Sequence, residues 1–590
     1  MPVPYKGSAR LGKRLLCYAV ALVGASAAPF VFALSIPDAG QLLNEHRQTL
    51  PSEPRSTEPT PALELPSDRS RPAASGLRVQ LKEIYFSGDT ELAQAESLQA
   101  LVRPVLGKTF DHAGLQQLAD DLTRYLRGRG YVLARAYLPR QDLTEGKLQI
   151  ALVKGRLQSG TSRIELNGNT RSSNDRLRQI ADAALPEGKV LQVEDLERAL
   201  LLINDQPGVN AQSALERGTE PGTSRLLINT KQGALFDGGV SMDNYGNRST
   251  GTARANAQVN VNDPLGIGDQ LGIGLSKSTG SDIVGGSYNV PLTASGLRLN
   301  ASASYLRYEV DQEQFRPLDL RGTARSGSLG LSYPLIRSRL QNLNLSATYE
   351  YKALEDRGLG TNLRDRELNN FIVALSGNRF DSFAGGGVTD AMVALTLGEL
   401  DLSGNRDDQF VDSVSAQSDG SFRKFNLRVS RLQSLGVASP WTLFGGVSAQ
   451  WAGDNLDSSE KFLLGGPAGV RAYPVGEASA DQGWLATLEL RRNIDLGLPS
   501  VTMQGLGFFD TGRVWLNENP WPGSINNAGE TNRYDLHAVG LGANVWANDF
   551  SVRTAVARTL GNNPGRGESG LDADGRDSRW RAWVQVSYAF

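Results

Sequence analysis

The stretch LQNLNLSATYEY, residues 340–351, decides the fold. Leu343, Leu345, Ala347, Tyr349 and Tyr351 fall on one side of an extended chain, and Asn342, Asn344, Ser346, Thr348 and Glu350 on the other. A strict period of two marks a strand with one apolar and one polar face. The pattern recurs at Leu297, Leu299, Ala301, Ala303 and Tyr305, set against Arg298, Asn300, Ser302 and Ser304. It recurs again through Trp441, Leu443, Gly445, Val447, Ala449 and Trp451, with an aromatic at each end. The chain finishes the same way: Trp580, Ala582, Val584, Val586, Tyr588 and Phe590 alternate with Arg581, Trp583, Gln585, Ser587 and Ala589.

From residue 233 onward sixteen such segments are expected. They begin near Leu235, Gly251, Asp269, Asp282, Leu297, Arg321, Leu340 and Arg366, then near Thr389, Ser421, Trp441, Gly483, Ser500, Tyr534, Phe550 and Arg579. A soluble sandwich would bury the apolar faces against a second sheet, and a β-helix would carry a short repeat. Strands of about ten residues with aromatic ends instead fit a transmembrane barrel around a wet, polar lumen. Closure also satisfies every backbone donor and acceptor in lipid. Composition agrees: only 40% of the 590 residues are hydrophobic, too few for a bundle of long apolar helices. The net charge of -2 offers no basic field for nucleic acid.

Upstream, the period changes. Residues 77–157 and 158–232 each read strand–helix–helix–strand–strand, an internal repeat of two small α/β units. In the first, a strand over Leu77–Phe86 precedes a helix capped by Asp111, with Leu115, Leu118, Leu122, Tyr125 and Leu126 on one face. Strands over Tyr131–Leu138, carrying Tyr131, Leu133, Arg135 and Tyr137, and over Lys147–Val153 close it. The second has a strand at Ile164–Leu166, helices over Asn174–Ala184 and Val193–Asn204, and strands over Val209–Glu216 and Ser224–Thr230.

Residues 51–76 hold Pro51, Pro54, Pro59, Pro61, Pro66 and Pro72 among polar residues and read as an extended linker. Before it, within residues 34–50, Pro37–Thr49 can form a short helix, either a movable element or simply a packed or disordered one. Residues 1–33 read as a secretory signal, with Lys6, Arg10, Lys13 and Arg14 ahead of an apolar core; the rival reading is a membrane anchor. The single cysteine, Cys17, lies within it.

No catalytic constellation emerges. His46, His112 and His537 stand far apart without metal-ligand spacing, and no HExxH or phosphate-binding loop occurs. The expectation is a non-enzyme without cofactor or metal.

On these residues the chain resembles the two-partner-secretion transporters, POTRA–barrel proteins that export hemolysins and filamentous adhesins. PDAGQLLNEHR, GYVLARAYLPRQDLTEGKLQIALVKGRL and the barrel carry the likeness over nearly the whole mature chain. Two motifs sharpen it. GGPAGVRAYPVGE, Gly465–Glu477, resembles the family's V-R-G-Y loop through Gly469, Val470, Arg471 and Tyr473, with Ala472 in the glycine's place. FFDTG matches F-x-D-x-G through Phe508, Asp510 and Gly512.

The resemblance implies that the loop, residues 452–482, folds back into the lumen, where Arg471 meets Asp510. It implies a plug helix over residues 34–50 and two POTRA domains in the periplasm of a bacterium, beneath an outer-membrane barrel over 233–590. The implied partner is a large exoprotein bound through its N-terminal region. An unfolded chain can add a strand to an open sheet edge, and Tyr131–Leu138 beside Leu115 and Leu122 is the candidate, with which edge is free left open. Outer-membrane lipids and lipopolysaccharide are expected around the barrel. The barrel-assembly machinery is expected to read the terminal Tyr588 and Phe590. The rivals are a general outer-membrane-protein insertase and a passive porin.

Overall fold

The computed structural model describes residues 36–48, 78–219 and 223–590. The signal segment and the proline-rich linker lie outside these residues. The sixteen alternating segments form one closed antiparallel barrel, as the period-two pattern predicts. Its strands are β1 (Phe236–Asp243), β2 (Arg254–Asn262), β3 (Gln270–Lys277), β4 (Ser281–Pro291), β5 (Arg298–Glu309) and β6 (Arg321–Arg337). There follow β7 (Gln341–Gly358), β8 (Thr361–Asp381), β9 (Gly387–Asp401), β10 (Gly420–Ser434) and β11 (Trp441–Ala452). The last are β12 (Gln482–Ile494), β13 (Val501–Trp515), β14 (Arg533–Ala547), β15 (Phe550–Thr559) and β16 (Trp580–Ala589).

In β7, Leu345 and Tyr349 are exposed on the outer wall, whereas Glu350, Lys352, Leu354 and Asp356 are buried inside. The barrel closes where β1 meets β16 antiparallel, from Gly239 opposite Ala589 to Asp243 opposite Gln585. Phe590 extends the seam, donating its N–H to the Gly238 carbonyl and accepting from the Gly238 N–H, both at 3.1 Å. Its ring stacks on Tyr588.

The two small domains form at one mouth, called proximal here, because β1 starts there directly after the second domain. In the first, Glu83–Gly88 runs parallel to Lys147–Val153, which pairs antiparallel with Arg135–Tyr137. The helix His112–Gly128 is capped by Asp111, which accepts from the Gly114 N–H at 2.8 Å. The expected strand Leu77–Phe86 is broken in two: Arg78–Gln80 pairs with Thr109–Asp111 in a sheet of its own.

The expected strand Tyr131–Leu138 also needs correction. Only Arg135–Tyr137 pairs as a strand. Gly130, at φ +92°, turns the chain, and Tyr131 bridges to Gln192 of the second domain. Val132 is buried in the second domain's core and Leu133 packs against it. Val132 and Leu133 are apolar because they fill a neighbouring domain, while Tyr131 packs against the first domain's own core. The domain boundary moves for a related reason: Arg156–Leu157 pairs with Thr223–Gln232, so it belongs to the second sheet.

The second domain has its helices at Asn174–Ala184 and Val193–Asn204, as the 3.6-residue spacing predicts. It is seated on the proximal rim. Arg337 grips Asp205 with two bonds of 2.9 and 2.7 Å, and Arg198 donates to the carbonyls of Ser295 and Pro334. Ser172 donates to Asp263 at 2.5 Å.

Candidate functional site in the barrel lumen

Two elements fill the lumen, a helix from the N-terminal segment and the loop between β11 and β12. The helix α1, Ala39–Arg47, starts where Asp38 accepts from the Gln41 N–H at 2.8 Å. Ala39, Leu42 and Leu43 are buried against Leu306, Tyr308, Leu354, Leu368 and Phe422 of the inner wall. Both ends are clamped by charge. The Asp38 carboxylate receives Arg364 at 2.9 Å, Arg366 at 3.3 Å and the Ser458 hydroxyl at 2.7 Å. The Ala39 N–H donates to Asp356 at 2.8 Å. At the other end Arg47 pairs with Glu350 at 2.7 Å. Asp356 lies nearer the distal end of β7 than Glu350 does, so α1 points its C-terminus toward the small domains.

The helix rests on the loop as much as on the wall. Asn44 donates to the Lys461 carbonyl at 2.7 Å, and Gln48 to that of Leu463 at 3.0 Å. Gly40 is pressed so close that a Cβ there would stand 2.4 Å from the Ser458 hydroxyl and 3.0 Å from the Ser459 nitrogen. Glu460 of the loop is held in turn by Lys352 and, at 2.7 Å, by Lys424. Helix, loop and wall thus form one polar network.

Deeper in the loop, Val470 donates to the Leu464 carbonyl at 2.7 Å and Gly466 to that of Tyr473 at 3.1 Å, making a tight reversal. Gly469 is needed at its waist, where a Cβ would lie 2.1 Å from the Leu464 oxygen. Ala472 is fully buried and is not among the residues with left-handed backbone, so its methyl is accommodated without strain.

At the loop's tip the structure brings Arg471 and Asp510 together. The guanidinium donates to both oxygens of Asp510, at 2.9 and 2.7 Å, and the Arg471 N–H adds a third bond at 3.1 Å. Its remaining nitrogen reaches Glu489 at 2.6 Å, and its carbon lies 3.4 Å from the centre of the Phe508 ring. Burial opposes the charge, but Asp510 and Glu489 outweigh it and hold the Arg471 pKa above its ordinary value.

Residues 508, 510 and 512 share the inner face of β13 by the period of two, and each has a task. Phe508 stacks on the cation, Asp510 binds it, and Gly512 clears space for Leu464, whose Cδ1 would lie 2.4 Å from a Cβ there. Val470 and Tyr473 are buried beside them.

Sequence reasoning missed several partners. Glu489, itself bound by Arg491 at 2.6 Å, shares the Arg471 charge. Trp583 donates its indole N–H to the Arg471 carbonyl at 2.7 Å. The signal for Trp583 was present: it is a large aromatic in the otherwise polar register of Arg581, Gln585 and Ser587. For Arg366, Asp356 and Asp457 no local signal existed, because lumen charges are common in any wet barrel.

Two loop and helix carboxyls are set apart by burial, which pushes both Glu45 and Glu477 up to about 7. Hydrogen bonds from Gln41 and Asn247 to Glu45 oppose the shift, as do those from Asn563 and the Ala573 N–H to Glu477.

The candidate receiving edge in the first small domain is less open than its sequence suggests. Leu115 and Leu122 are core residues, while Arg135 and Tyr137 are exposed. The Ala136 N–H between them already donates to the Thr123 hydroxyl at 2.9 Å, and its carbonyl lies 3.3 Å from that hydroxyl.

The chain matches the family model "Haemolysin secretion/activation protein ShlB/FhaC/HecB" over residues 222–531, and a "POTRA domain, ShlB-type" model over 79–155. The heme/hemopexin transporter protein HuxB of Haemophilus influenzae is 27% identical, over 90% of this chain and 93% of its own. The outer membrane transporter CdiB of Escherichia coli O6:K15:H31 is also 27% identical, over 81% of this chain and 79% of its own. A solved structure of CdiB from Escherichia coli superposes with a TM-score of 0.65 at 21% identity, covering all of both chains, which speaks for the shared fold.

Proposed function

Because the chain belongs to the haemolysin secretion/activation family ShlB/FhaC/HecB, matched over more than half its length, we propose that it works as a two-partner-secretion transporter. It sits in the bacterial outer membrane with its POTRA domains in the periplasm, and it carries a secreted partner protein to the cell surface. The observation that carries this reading is a sixteen-stranded barrel whose lumen is filled by a clamped helix and a clamped loop. A passive porin has no use for such a stopper or for POTRA domains. The insertase alternative is disfavoured by the same tethered helix.

The finer mechanism follows from the chemistry. At rest α1 and the loop close the pore, and the partner's N-terminal region is received by the POTRA domains. Strand addition at Arg135–Tyr137 requires Thr123 to give up Ala136, which makes that edge conditional. Release of α1 opens an aqueous path that suits an extended chain better than a folded domain. No nucleotide-binding loop occurs in the sequence, so direction comes from folding of the emerged partner, which cannot then slip back. During biogenesis the strand ending in Tyr588 and Phe590 is the element offered to the barrel-assembly machinery.

Deleting the gene and assaying the culture medium tests the reading. A large polypeptide disappears from the medium while other barrels assemble normally. Unchanged secretion with defective barrel assembly would transfer the function to the insertase class, and altered solute uptake alone would transfer it to the porins.

A further inference from the structure

The outer wall carries a charged patch that the lumen chemistry leaves unused. On β5 to β7 a distal aromatic girdle is formed by Tyr305, Tyr349 and Tyr351. Just beyond it Lys277 on β3, Asp282 on β4, Arg307 and Glu309 on β5, and Arg321 and Arg325 on β6 are all exposed. The register fixes their neighbours. Lys277 stands opposite Asp282, Asp282 opposite Arg307, Tyr305 opposite Arg325 and Glu309 opposite Arg321.

Lys277 takes Asp282 at 2.5 Å and Arg321 reaches Asp319 at 3.5 Å, while Arg307 and Arg325 make no ion pair among the described residues. As diagonal neighbours, Arg307 and Arg325 start about 7–8 Å apart, close enough for two long side chains to meet on one anion. Beneath Arg307 an apolar groove of about 790 Å³ runs over β1 to β5 and β15 to β16, lined by Met242, Ala257, Leu275, Val284, Tyr305 and Tyr588. Its upper end reaches Lys277, Asp282 and Arg307, with Arg325 on the next strand beyond it.

An apolar groove below the girdle and unpaired guanidinium groups above it have complementary demands. The groove takes hydrocarbon chains. The arginines take an oxyanion, which each can grip with two parallel hydrogen bonds. A ligand satisfying both is an amphiphile with phosphate at the level of the outer-leaflet headgroups. We propose that this patch binds the phosphorylated glycolipid of that leaflet, lipopolysaccharide, through its lipid A moiety. One acyl chain lies in the groove and one phosphate is held between Arg307 and Arg325. The inference rests on the outer-membrane reading above, which cell fractionation tests separately.

Native mass spectrometry of the full chain in detergent decides it, with diphosphorylated lipid A, dephosphorylated lipid A and phosphatidylglycerol as probes. The expected result is retention of diphosphorylated lipid A, weakened about tenfold or more in Arg307→Gln/Arg325→Gln. Arg423→Gln, an exposed arginine elsewhere on the outer wall, leaves retention unchanged. Ala257→Trp, which fills the groove without touching the arginines, weakens it as well. Heat-modifiable gel mobility establishes that each variant is a folded barrel. Equal retention by the wild type and both folded variants overturns the site. Phosphatidylglycerol bound as tightly, with the same loss on substitution, overturns the assignment to the glycolipid.

Discussion

Replacing Arg471 by alanine is expected to free the loop while leaving the barrel intact. The side chain makes two bonds to Asp510, one to Glu489 and a stack on Phe508. Removing one partner of a buried ion pair costs about 3–5 kcal/mol, mostly because the other charge is stranded. The lower end applies here. Asp510 is fully buried but keeps the Thr487 hydroxyl at 3.1 Å and the residue-471 N–H, and Glu489 keeps Arg491. A loss of about 3 kcal/mol is more than a hundredfold in the docking equilibrium of the loop.

The assay is thiol labelling of Ala472→Cys, fully buried in the loop beside Arg471, in a background without Cys17. Labelling accelerates about a hundredfold in Arg471→Ala, while gel mobility reports a folded barrel and secretion of the partner is lost. Asp510→Asn added to Arg471→Ala removes the stranded charge and recovers much of the protection. Labelling within twofold of the parent in Arg471→Ala would refute the reasoning, as would a double variant no better than the single.

Two further outcomes follow from the lumen network and a third from the first small domain. Glu45, with an ordinary pKa near 4.5 and about 7 when α1 is docked, binds more protons in the docked state. Seating of α1 is therefore firmest below about pH 4.5 and is lost as pH rises through 7, by about 3 kcal/mol in all. Channel conductance in planar bilayers should rise between pH 5 and pH 8, and Glu45→Gln should flatten the profile. Gly40→Val drives a branched side chain into Ser458 and the Ser459 backbone, so it should raise conductance at every pH without altering barrel assembly. Thr123→Val removes the hydroxyl that satisfies Ala136, at a cost of about 1 kcal/mol, and hydrogen exchange at the Ala136 amide should quicken about fivefold.

Barrel strands were legible because their environment is uniform. Lipid outside and water inside impose the same alternation on each strand, so all sixteen starts fell within a few residues of their elements. The helix capped by Asp111 was legible for a local reason, since cap and apolar stripe lie within one short window. Tyr131–Leu133 misled for the opposite reason. Val132 and Leu133 answer to the second domain's core, which no window of sequence contains. The pairing of Arg471 with Asp510 entered through family motifs, and nothing local to either residue points at the other.

By itself the sequence determined the barrel, its strand count, the repeat of two small domains and the presence of a helix-forming segment ahead of a proline-rich stretch. Those features follow from local periodicity and turn chemistry, which solvent and lipid read residue by residue. Tertiary structure alone decided what fills the lumen and how it is held. The contacts of Asp38 with Arg366 and with Ser458 join residues hundreds of positions apart. Their worth comes from burial and mutual geometry, which exist only once the cylinder has closed around them.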